Sequence, residues 1–421
     1  MKLKHVARLR AGGTPDTSDE AMWTDDATEG IPWVAIGDMS GTRLVAGTNK
    51  LVSLSGASSK GLPVGQAGTV LFAMYASVGA VSALGVKATW NQALLGLEAS
   101  DLADQRFLAY WLEHYAPQAV AQARSATQAN LNADQVANFP FPDLSLEEQR
   151  RIAAFLDDRV DRIDRIIAAR RQQIQHVKEC LQAERRHEVL GLRDGQVATP
   201  LPWATHVGAG RPLRRLFQVT RIGTGHTPSR SVPEYWENCT IPWLTTADVH
   251  KFRYDQIDVI DQTELQISEL GLANSAAVLH PANTVALSRT ASAGFPVILG
   301  KDMATSQDYF TWTCGPEIIP AYLLETLRVM RSYLLKYLAT GSTHKTIYFP
   351  DLQDLEVPLP SLGAQQAAVE RVRHASSVAL SAEKLLTNQI ARLSEYKSSL
   401  ITAAATGELD VTTASRRIPG E

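Results

Sequence analysis

Two long stretches of the chain carry apolar residues at an average spacing close to 3.5 positions. In the first stretch, 144–190, these residues are Ile152, Leu156, Ile163, Ile167, Ile174, Val177 and Leu181. In the second, 361–407, they are Val369, Val372, Ala379, Leu386, Ile390, Leu393 and Leu400. Because steps of three, four or seven positions stay on one face of an α-helix, the pattern predicts two long helices. Each helix has a narrow apolar stripe that needs a partner.

The two stripes are expected to bury each other. Both helices belong to one chain, and the first must return through 191–210 before the second begins, which favours an antiparallel coiled coil. The residues predicted to form its seam are Ile152, Leu156, Ile163, Ile167, Ile174, Leu386, Ile390 and Leu393. The alternative is that each helix packs on its own globular domain, which is the commoner arrangement for amphipathic helices.

The regions that precede the two helices repeat each other. Ile31-Pro32-Trp33 matches Ile241-Pro242-Trp243, and Asp38 matches Asp248 in the same register. Further matches, in the same order, pair Thr14-Pro15 with Thr227-Pro228, 68–81 with 283–296, Gln92 with Gln307, 125–131 with 341–347, and 139–142 with 357–360. Such an ordered series is hard to obtain by chance and indicates two copies of one fold. It favours helices that pair over helices that pack separately.

A proline-rich segment stands just before each predicted helix, at 139–142 and at 357–360. Proline ends an extended stretch, so the helix is expected to begin after it. In the first copy, Ser145 and Glu148 form a predicted capping box, in which each side chain satisfies a backbone N–H of the first turn. The second copy has Ala364 at the glutamate position and therefore lacks the carboxylate of the capping box.

Composition is that of a folded protein, with 45% hydrophobic and 20% charged residues. The three cysteines, Cys180, Cys239 and Cys314, are too few and too far apart for a disulfide framework or a C-x-x-C metal site. No apolar run approaches the roughly 18 residues of a membrane span. We therefore expect a cytoplasmic protein without a membrane segment.

Motifs of catalysis are missing from the sequence. No Asn/Asp-Pro-Pro-Tyr/Phe motif of base methylation occurs, and the near P-loop at 294–301 has one residue too many and Asp302 in place of Ser/Thr. The acids Glu147 and Glu148 are explained by helix capping. The histidines without a partner at metal spacing are His187, His206, His226 and His344. We therefore expect no catalytic residue and no metal site.

The motifs of the repeat carry a family resemblance. They are G-G-T-P (12–15) with G-H-T-P (225–228), the two I-P-W…D blocks, and a proline-rich segment running into E-E-Q (147–149) or Q-Q (365–366). As a set they resemble the specificity subunit of type I restriction-modification systems, over nearly the whole chain. The resemblance implies an α+β fold with two similar globular target-recognition domains, separated by two long helices that pair as an antiparallel coiled coil with internal pseudo-twofold symmetry.

The implied boundaries follow the repeat. Target-recognition domains are expected at 1–143 and 211–360, and conserved helical regions at 144–190 and 361–407. A linker at 191–210 and a C-terminal tail at 408–421 complete the chain.

The resemblance also implies a role and partners. Each domain would read half of a bipartite target in double-stranded DNA, and the chain itself would be non-catalytic. Two copies of an adenine methyltransferase subunit and a helicase-nuclease subunit would join it. No cofactor is expected in this chain, since S-adenosylmethionine, ATP and magnesium would be bound by those partners.

Net charge qualifies this role. The value of −3 argues against strong DNA binding by this chain alone, because DNA affinity depends on basic residues that neutralise phosphates. A coiled-coil scaffold that binds proteins and reads no DNA is the alternative.

Candidate DNA contacts are polar side chains in two pairs of matching loops, because such groups bind base edges and phosphates. One pair holds Arg124, Ser125, Thr127, Gln128 and Asn130, with Ser342, Thr343, His344 and Lys345 in the second copy. A solvated loop is an equally good interpretation of this pair. The other holds Tyr75 and Ser77, with Arg289, Thr290 and Ser292 in the second copy. Arg289 is the best single candidate, whereas Trp33 and Trp243 are expected to be structural.

The copies differ at several of these polar positions. Gln128 stands against His344, and Met74 against Arg289. Since the side chains differ, the two half-sites are expected to differ, and the target is expected to be asymmetric.

Overall fold

The computed structural model describes residues 1–124, 130–193, 195–341 and 345–413, without the side chains of Gln122 and Arg124. Two units make up the chain. Unit 1 contains Met1–Arg171 and Thr387–Glu421, and unit 2 contains Gln172–Leu386. Each long helix therefore begins in one unit and ends in the other.

Unit 1 is built on two sheets. Its strands are β1 (Ala7–Ala11), β2 (Trp23–Thr24), β3 (Ile31–Val34), β4 (Leu44–Val45), β5 (Leu51–Val52), β6 (Val70–Ala73), β7 (Val81–Leu84), β8 (Thr89–Trp90) and β9 (Leu94–Ala99). Its helices are α1 (Leu3–Val6), α2 (Leu54–Ser59), α3 (Gln105–Arg124), α4 (Ala133–Ala137) and the first part of α5 (Leu146–Leu190). The sheet orders are β1-β9-β6-β7-β4 and β2-β5-β3-β8.

Unit 2 has the same kinds of element. Its strands are β10 (Gln196–Ala198), β11 (His206–Gly208), β12 (Leu213–Arg215), β13 (Thr220–Thr224), β14 (Ile241–Leu244), β15 (Val259–Ile260), β16 (Leu265–Ile267), β17 (Leu279–His280), β18 (Val285–Ser288), β19 (Pro296–Leu299), β20 (Met303–Thr305), β21 (Tyr309–Cys314), β22 (Ala339–Thr340), β23 (Thr346–Ile347) and β24 (Glu356–Pro358). Its helices are α6 (Leu216–Val219), α7 (Val249–Phe252), α8 (Glu269–Ala273), α9 (Pro320–Tyr333), α10 (Phe349–Gln353) and the first part of α11 (Leu362–Thr406).

Sheet topology repeats between the units. The five-stranded sheet of unit 2, β13-β21-β18-β19-β15, has the order of β1-β9-β6-β7-β4 in unit 1. Both sheets end in a parallel pair, β4 with β7 and β15 with β19. The matched I-P-W blocks form β3 and β14, each paired in parallel with the corresponding strand, β8 or β20. The predicted α+β fold with an internal repeat is confirmed.

In unit 1 the predicted seam is buried. Ile152, Leu156, Ile163 and Ile167 of α5 share one apolar core with Leu393, Leu400, Ile401, Ala404 and Ala405 of α11, and Ile390 packs against it. Lys397 Nζ lies 2.7 Å from Asp164 Oδ1 at its edge. The same core includes Phe107 of α3 and Phe141, so the helix pair is continuous with the globular part of the unit.

In unit 2 the pairing direction is visible from two ion pairs. Lys178 Nζ lies 2.9 Å from Glu383 Oε1, and Arg371 Nε lies 2.7 Å from Glu188 Oε2. As residue numbers rise along α5 they fall along α11, so the helices are antiparallel as predicted. Towards the middle of the helices the seam is weaker, since Ile174 and Leu386 are only half-buried.

A buried glutamine attaches each long helix to its unit. Gln149 Nε2 donates to the carbonyls of Leu102 (3.2 Å) and Leu144 (3.0 Å), and its Oε1 accepts from Asp104 N (2.9 Å). Gln365 makes the same three bonds, from Nε2 to Glu317 O and Pro360 O and from Ile319 N to Oε1, all at 2.9 Å. Both side chains are fully buried, and these bonds satisfy them. This explains why E-E-Q and Q-Q occur at matching places.

Helix capping differs between the copies as the sequence indicated. Glu148 Oε2 accepts from Ser145 N at 3.0 Å, and Ser145 Oγ accepts from Glu148 N at 3.3 Å. The hydrogen bonds that its carboxylate accepts from Ser145 Oγ, at 2.7 Å, and from Ser145 N hold the pKa of the half-buried Glu148 below its usual value. In the second copy Ser361 Oγ still accepts from Ala364 N at 3.4 Å, so only the hydrogen bonds made by the glutamate carboxylate are missing.

The segment predicted as a linker packs into unit 2. It forms the β10-β11 hairpin, and Leu201, Trp203 and Val207 lie in the unit's core. Trp203 Nε1 donates to Glu356 O at 3.0 Å. Burial of Trp203 together with Leu201 and Val207 packs this segment against the unit, although the sequence has no helical or strand period there. At the other end of the chain, Leu409 and Val411 of the predicted tail pack against the unit 1 core.

An ion pair lies at the same place in both units, but the acidic and the basic residue have exchanged positions. In unit 1, Arg43 Nε, just before β4, lies 2.8 Å from Glu113 Oε1 of α3. In unit 2, Asp258 Oδ1, just before β15, lies 2.7 Å from Arg328 Nη1 of α9. Burial raises the pKa of Glu113 despite the nearby Arg43. The two copies therefore share geometry at this point but not charge.

The cores also fill the same space with different side chains. In unit 1, Trp90 is fully buried, and a Cβ at Gly96 or Gly65 would lie 2.1 or 2.9 Å from its ring. In unit 2 the strand registers place Thr305, Thr311 and His280 at the three matching positions. His280 is 4% exposed, so an imidazole replaces part of the indole.

The stability of unit 2 is predicted to depend on pH through His280. Burial lowers its pKa to about 4 from the usual 6.5, with a smaller contribution from Arg221 and against a hydrogen bond to the Thr224 backbone. Well above pH 6.5 the ring is neutral in both the folded and the unfolded chain. As pH falls from 6.5 to 4 only the unfolded chain takes up the proton, so unfolding becomes easier by about 2 to 3 kcal/mol.

Urea unfolding of wild type and of His280→Gln between pH 7.5 and pH 4 measures this effect. The variant is expected to lose less stability on acidification, and the matched change at the exposed His206, His206→Gln, should leave the wild-type slope unchanged. Equal acid sensitivity of wild type and His280→Gln would contradict the prediction.

The seam predicts a second measurable effect. Ile163 is fully buried and Leu393 is 8% exposed, so lysine at either place must bury a charge or open the helix pair. We expect Ile163→Lys and Leu393→Lys each to lower the free energy of unfolding by about 3 kcal/mol or more. Leu385→Lys, at a position 59% exposed on the same helix as Leu393, should change it by less than about 0.5 kcal/mol. Equal stability of all three variants would exclude the buried seam.

Candidate nucleic-acid interface

The T-P motif of each copy is fixed to a buried tryptophan. Trp33 Nε1 donates to Gly13 O at 2.9 Å, and Trp243 Nε1 donates to His226 O at 3.2 Å. The prolines of the motif, Pro15 and Pro228, are buried. The tryptophans are thus structural, as predicted, and they hold the turn that carries the threonine.

A second tryptophan supports the same turn from outside. Trp23 Nε1 donates to Asp16 O at 3.0 Å, and its ring meets that of Trp33 edge-on at 5.2 Å. In unit 2, Trp236 Nε1 donates to Ser229 O at 3.1 Å and meets Trp243 at 5.5 Å. An exposed cation lies over each outer ring, Lys50 in unit 1 and Arg230 in unit 2, at 5.3 and 5.0 Å from the centroid.

The threonine of each motif contacts a glutamine on a tight turn. Thr14 Oγ1 donates to Gln92 Oε1, and Thr227 Oγ1 donates to Gln307 Oε1 at 2.7 Å. The turn is closed by Leu94 N donating to Asn91 O at 3.1 Å, and in unit 2 by Tyr309 N donating to Ser306 O at 3.2 Å. Both glutamines stand at the second position of the turn and are exposed.

The loops after β6 and β18 share one backbone conformation. Ala76 and Ala291 have φ of 57° and 59°, and Gly79 and Gly294 both have φ of 88°. Ala73 N donates to Ala80 O at 2.9 Å, as Ser288 N does to Phe295 O at 3.1 Å. A left-handed alanine is strained, so its presence at both matching positions shows that the loop shape is imposed by its surroundings.

Hydrogen bonds bring these segments together in each unit. Met74 N donates to Ala93 O at 2.8 Å, and Leu131 N donates to Met74 O at 3.0 Å. The resulting loop cluster 1 consists of 12–15, 74–79, 91–94 and 130–131. In unit 2, Arg289 N donates to Asp308 O and Ile347 N to Arg289 O, both at 2.8 Å, which defines loop cluster 2 as 225–228, 289–294, 306–309 and 345–347.

Several predicted DNA contacts lie in these clusters. In loop cluster 1, Ser77 and Asn130 are exposed, whereas Tyr75 is half-buried against the core. In loop cluster 2, Lys345 is exposed and Thr290 and Ser292 are half-buried. Ser125, Thr127, Gln128, Ser342, Thr343, His344 and the side chain of Arg124 lie outside the described residues. The role of all these residues in DNA binding stays a prediction.

The Arg289 side chain makes structural hydrogen bonds that the sequence did not indicate. Its Nε donates to Gln307 O at 2.9 Å and its Nη1 to Ile347 O at 3.4 Å. The guanidinium therefore links two segments of loop cluster 2. Its predicted DNA contact would have to use the remaining donors, which makes it a weaker candidate than the sequence suggested.

Gln92 and Gln307 were not among the predicted contacts, although they lie at the exposed surface of the two clusters. The one signal for them was that they keep the register of the repeat. Their hydrogen bonds to the T-P threonines span 78 and 80 positions, and such contacts follow from the fold rather than from local sequence.

Within the described ranges, no group of three or more His, Cys, Asp or Glu residues is placed to hold a metal ion. No described helix combines the length and apolar character that crossing a membrane requires.

Two α+β units of one topology, each with a polar loop cluster, define a tandem-repeat protein. The model of the type I restriction modification DNA specificity domain matches residues 1–176 and 212–392, one match for each copy. The chain therefore belongs to the type I restriction-modification DNA specificity family.

Characterised relatives match part of the chain. It is 27% identical over 156 residues to the type I restriction enzyme MjaIX specificity subunit of Methanocaldococcus jannaschii. It is also 27% identical over 190 residues to the type I restriction enzyme EcoR124I/EcoR124II specificity subunit of Escherichia coli. These matches cover 37% and 44% of this chain, and 35% and 42% of the relatives. The chain thus matches less than half the length of either relative.

Solved structures share the fold. One chain, from work on complex assembly and conformational transition of the type I R-M system, matches with a TM-score of 0.70 and 17% identity over 97% of both chains. The HsdS subunit of Thermoanaerobacter tengcongensis matches with a TM-score of 0.50 and 18% identity, covering 97% of this chain and 96% of that one. At such identities the likeness supports the fold alone.

Proposed function

We propose that this chain is the DNA-recognition subunit of a type I restriction-modification complex and that it reads a bipartite, asymmetric target. The observation that carries the proposal is the duplication of one loop cluster on two units of the same topology. Tight turns and a strained loop hold the backbone of each cluster in one shape, while several side chains on it differ, such as half-buried Tyr75 against half-buried Thr290 and exposed Asn130 against half-buried Thr346. Such a surface suits recognition of two different short sequences by one common geometry.

The chain would act through partners. Two adenine methyltransferase subunits and a helicase-nuclease subunit would supply the chemistry, and S-adenosylmethionine, ATP and magnesium would bind to them in the cytoplasm. The chain itself would be non-catalytic, which agrees with a sequence that lacks the methyl-transfer and P-loop motifs. Its net charge of −3 supports a subunit that binds DNA tightly only within the complex.

The alternative is a scaffold that binds proteins through its helices and reads no DNA. Membership of a DNA specificity family favours DNA recognition. Neighbouring genes for an adenine methyltransferase and a helicase-nuclease would favour it further.

The proposal predicts a methylation pattern. When the chain is expressed with its cognate methyltransferase subunit in a host that lacks adenine methylation, sequencing of modified adenines should reveal one gapped motif with two unlike half-sites. The methyltransferase subunit expressed alone is the control and should give no such motif. A complex that assembles and binds S-adenosylmethionine but methylates no defined motif would contradict the proposal.

A further inference from the structure

One polar pair is identical in the two loop clusters, although the side chains around it differ. Thr14 with Gln92 in unit 1 and Thr227 with Gln307 in unit 2 make the same hydrogen bond, from the hydroxyl to the amide oxygen. Met74 against Arg289 and Tyr75 against Thr290 are examples of the neighbours that differ. A group that is the same in both halves cannot distinguish two unlike half-sites. It is suited to a feature that both half-sites share.

The orientation of the amide indicates which feature that is. Because the threonine hydroxyl donates to Oε1, the oxygen is held towards the T-P turn, and the two N–H donors of Nε2 are directed away from that hydroxyl. Both glutamines are exposed at the second position of a closed turn. Phosphate oxygens accept hydrogen bonds and donate none, and neutral side chains such as glutamine commonly bind them.

We propose that Gln92 and Gln307 are phosphate contacts that set the register of each unit on DNA, and that Thr14 and Thr227 are their positioning residues. This rests on the proposed function, since it concerns the same DNA-binding surface. The G-G-T-P and G-H-T-P motifs then have a physical explanation. The buried proline and the tryptophan bond fix the turn, and the threonine fixes the amide.

A neutral contact has a signature that separates it from a basic one. Loss of a Lys or Arg contact reduces the slope of log K against log salt, because fewer counterions are released on binding. Loss of a glutamine contact lowers affinity but leaves that slope unchanged. It also leaves the recognised sequence unchanged, because a phosphate carries no base identity.

The experiment uses the complex of this chain with its methyltransferase subunits and a duplex that contains the motif identified by methylation sequencing. Affinity is measured between 50 and 200 mM salt for wild type, Thr14→Val, Gln92→Ala and the double variant. Gln92→Ala should weaken binding about 5- to 10-fold, the usual effect of one hydrogen bond. Thr14→Val should lose a similar amount, and the double variant should be no weaker than Gln92→Ala. Thr227→Val and Gln307→Ala should reproduce this pattern in unit 2.

Controls keep folding and surface effects apart. Gln66→Ala and Gln266→Ala remove exposed glutamines outside the loop clusters and should leave affinity at the wild-type value. Thermal unfolding of Thr14→Val should match wild type, which excludes a general loss of structure. Complexes of all variants should methylate the wild-type motif. For each of them, the slope of log K against log salt for DNA binding should equal that of wild type.

Three results would overturn the inference. A changed half-site in Gln92→Ala or Gln307→Ala would mean that the amide reads a base. Wild-type affinity in both glutamine variants would mean that the pair only stabilises the turn. Additive losses in the double variant would mean that threonine does not position glutamine. If the wild-type complex itself has no defined motif, the proposed function fails instead, and this difference keeps the two failures distinct.

Discussion

Each long helix carries an apolar stripe that water solvates poorly, and burial of that stripe is the constraint on which both units depend. In unit 1 the stripe of α5 is covered by α11 and merges with the core beneath α3. In unit 2 the ion pairs Lys178–Glu383 and Glu188–Arg371 connect the same two helices, which run antiparallel. Gln149 and Gln365 then tie the first turn of each helix to the loop before α3 or α9. A globular unit is therefore joined to its helix by a buried, fully satisfied side chain and not by a flexible connection.

The two copies show what that framework fixes and what it leaves free. The strand order and register of the five-stranded sheet and the left-handed Ala76 and Ala291 are the same in both. The ion pair of Arg43 with Glu113 has its charges exchanged in Asp258 with Arg328. Backbone geometry is thus kept while interior side chains diverge together, as close packing requires. Divergence at the loop clusters has no such packing constraint where the side chains are exposed, so it is available for recognition of different sequences.

Local periodicity was enough to predict the helices and the seam through Ile163 and Leu393, because these depend on spacing along one element. Their antiparallel pairing was predicted from the repeat and from the return of the chain through 191–210. The repeat was enough to predict two copies of one α+β fold. Contacts between segments that are distant in the sequence could not be predicted. Trp203 in the supposed linker, the carbonyl contacts of Arg289 and the link from Thr14 to Gln92 all depend on which strands become neighbours, and no pattern in the sequence states that directly.

The central claim is that each loop cluster reads one half of the target. The most direct test compares the motifs methylated by two altered chains in complex with the methyltransferase, one with Tyr75→Ala and the other with Thr290→Ala, because these matching positions differ between the clusters. The account predicts that the first change relaxes bases in one half-site only and that the second change relaxes bases in the other half-site only. Active complexes in which both changes alter the same half-site, or in which neither change alters the motif, would contradict it.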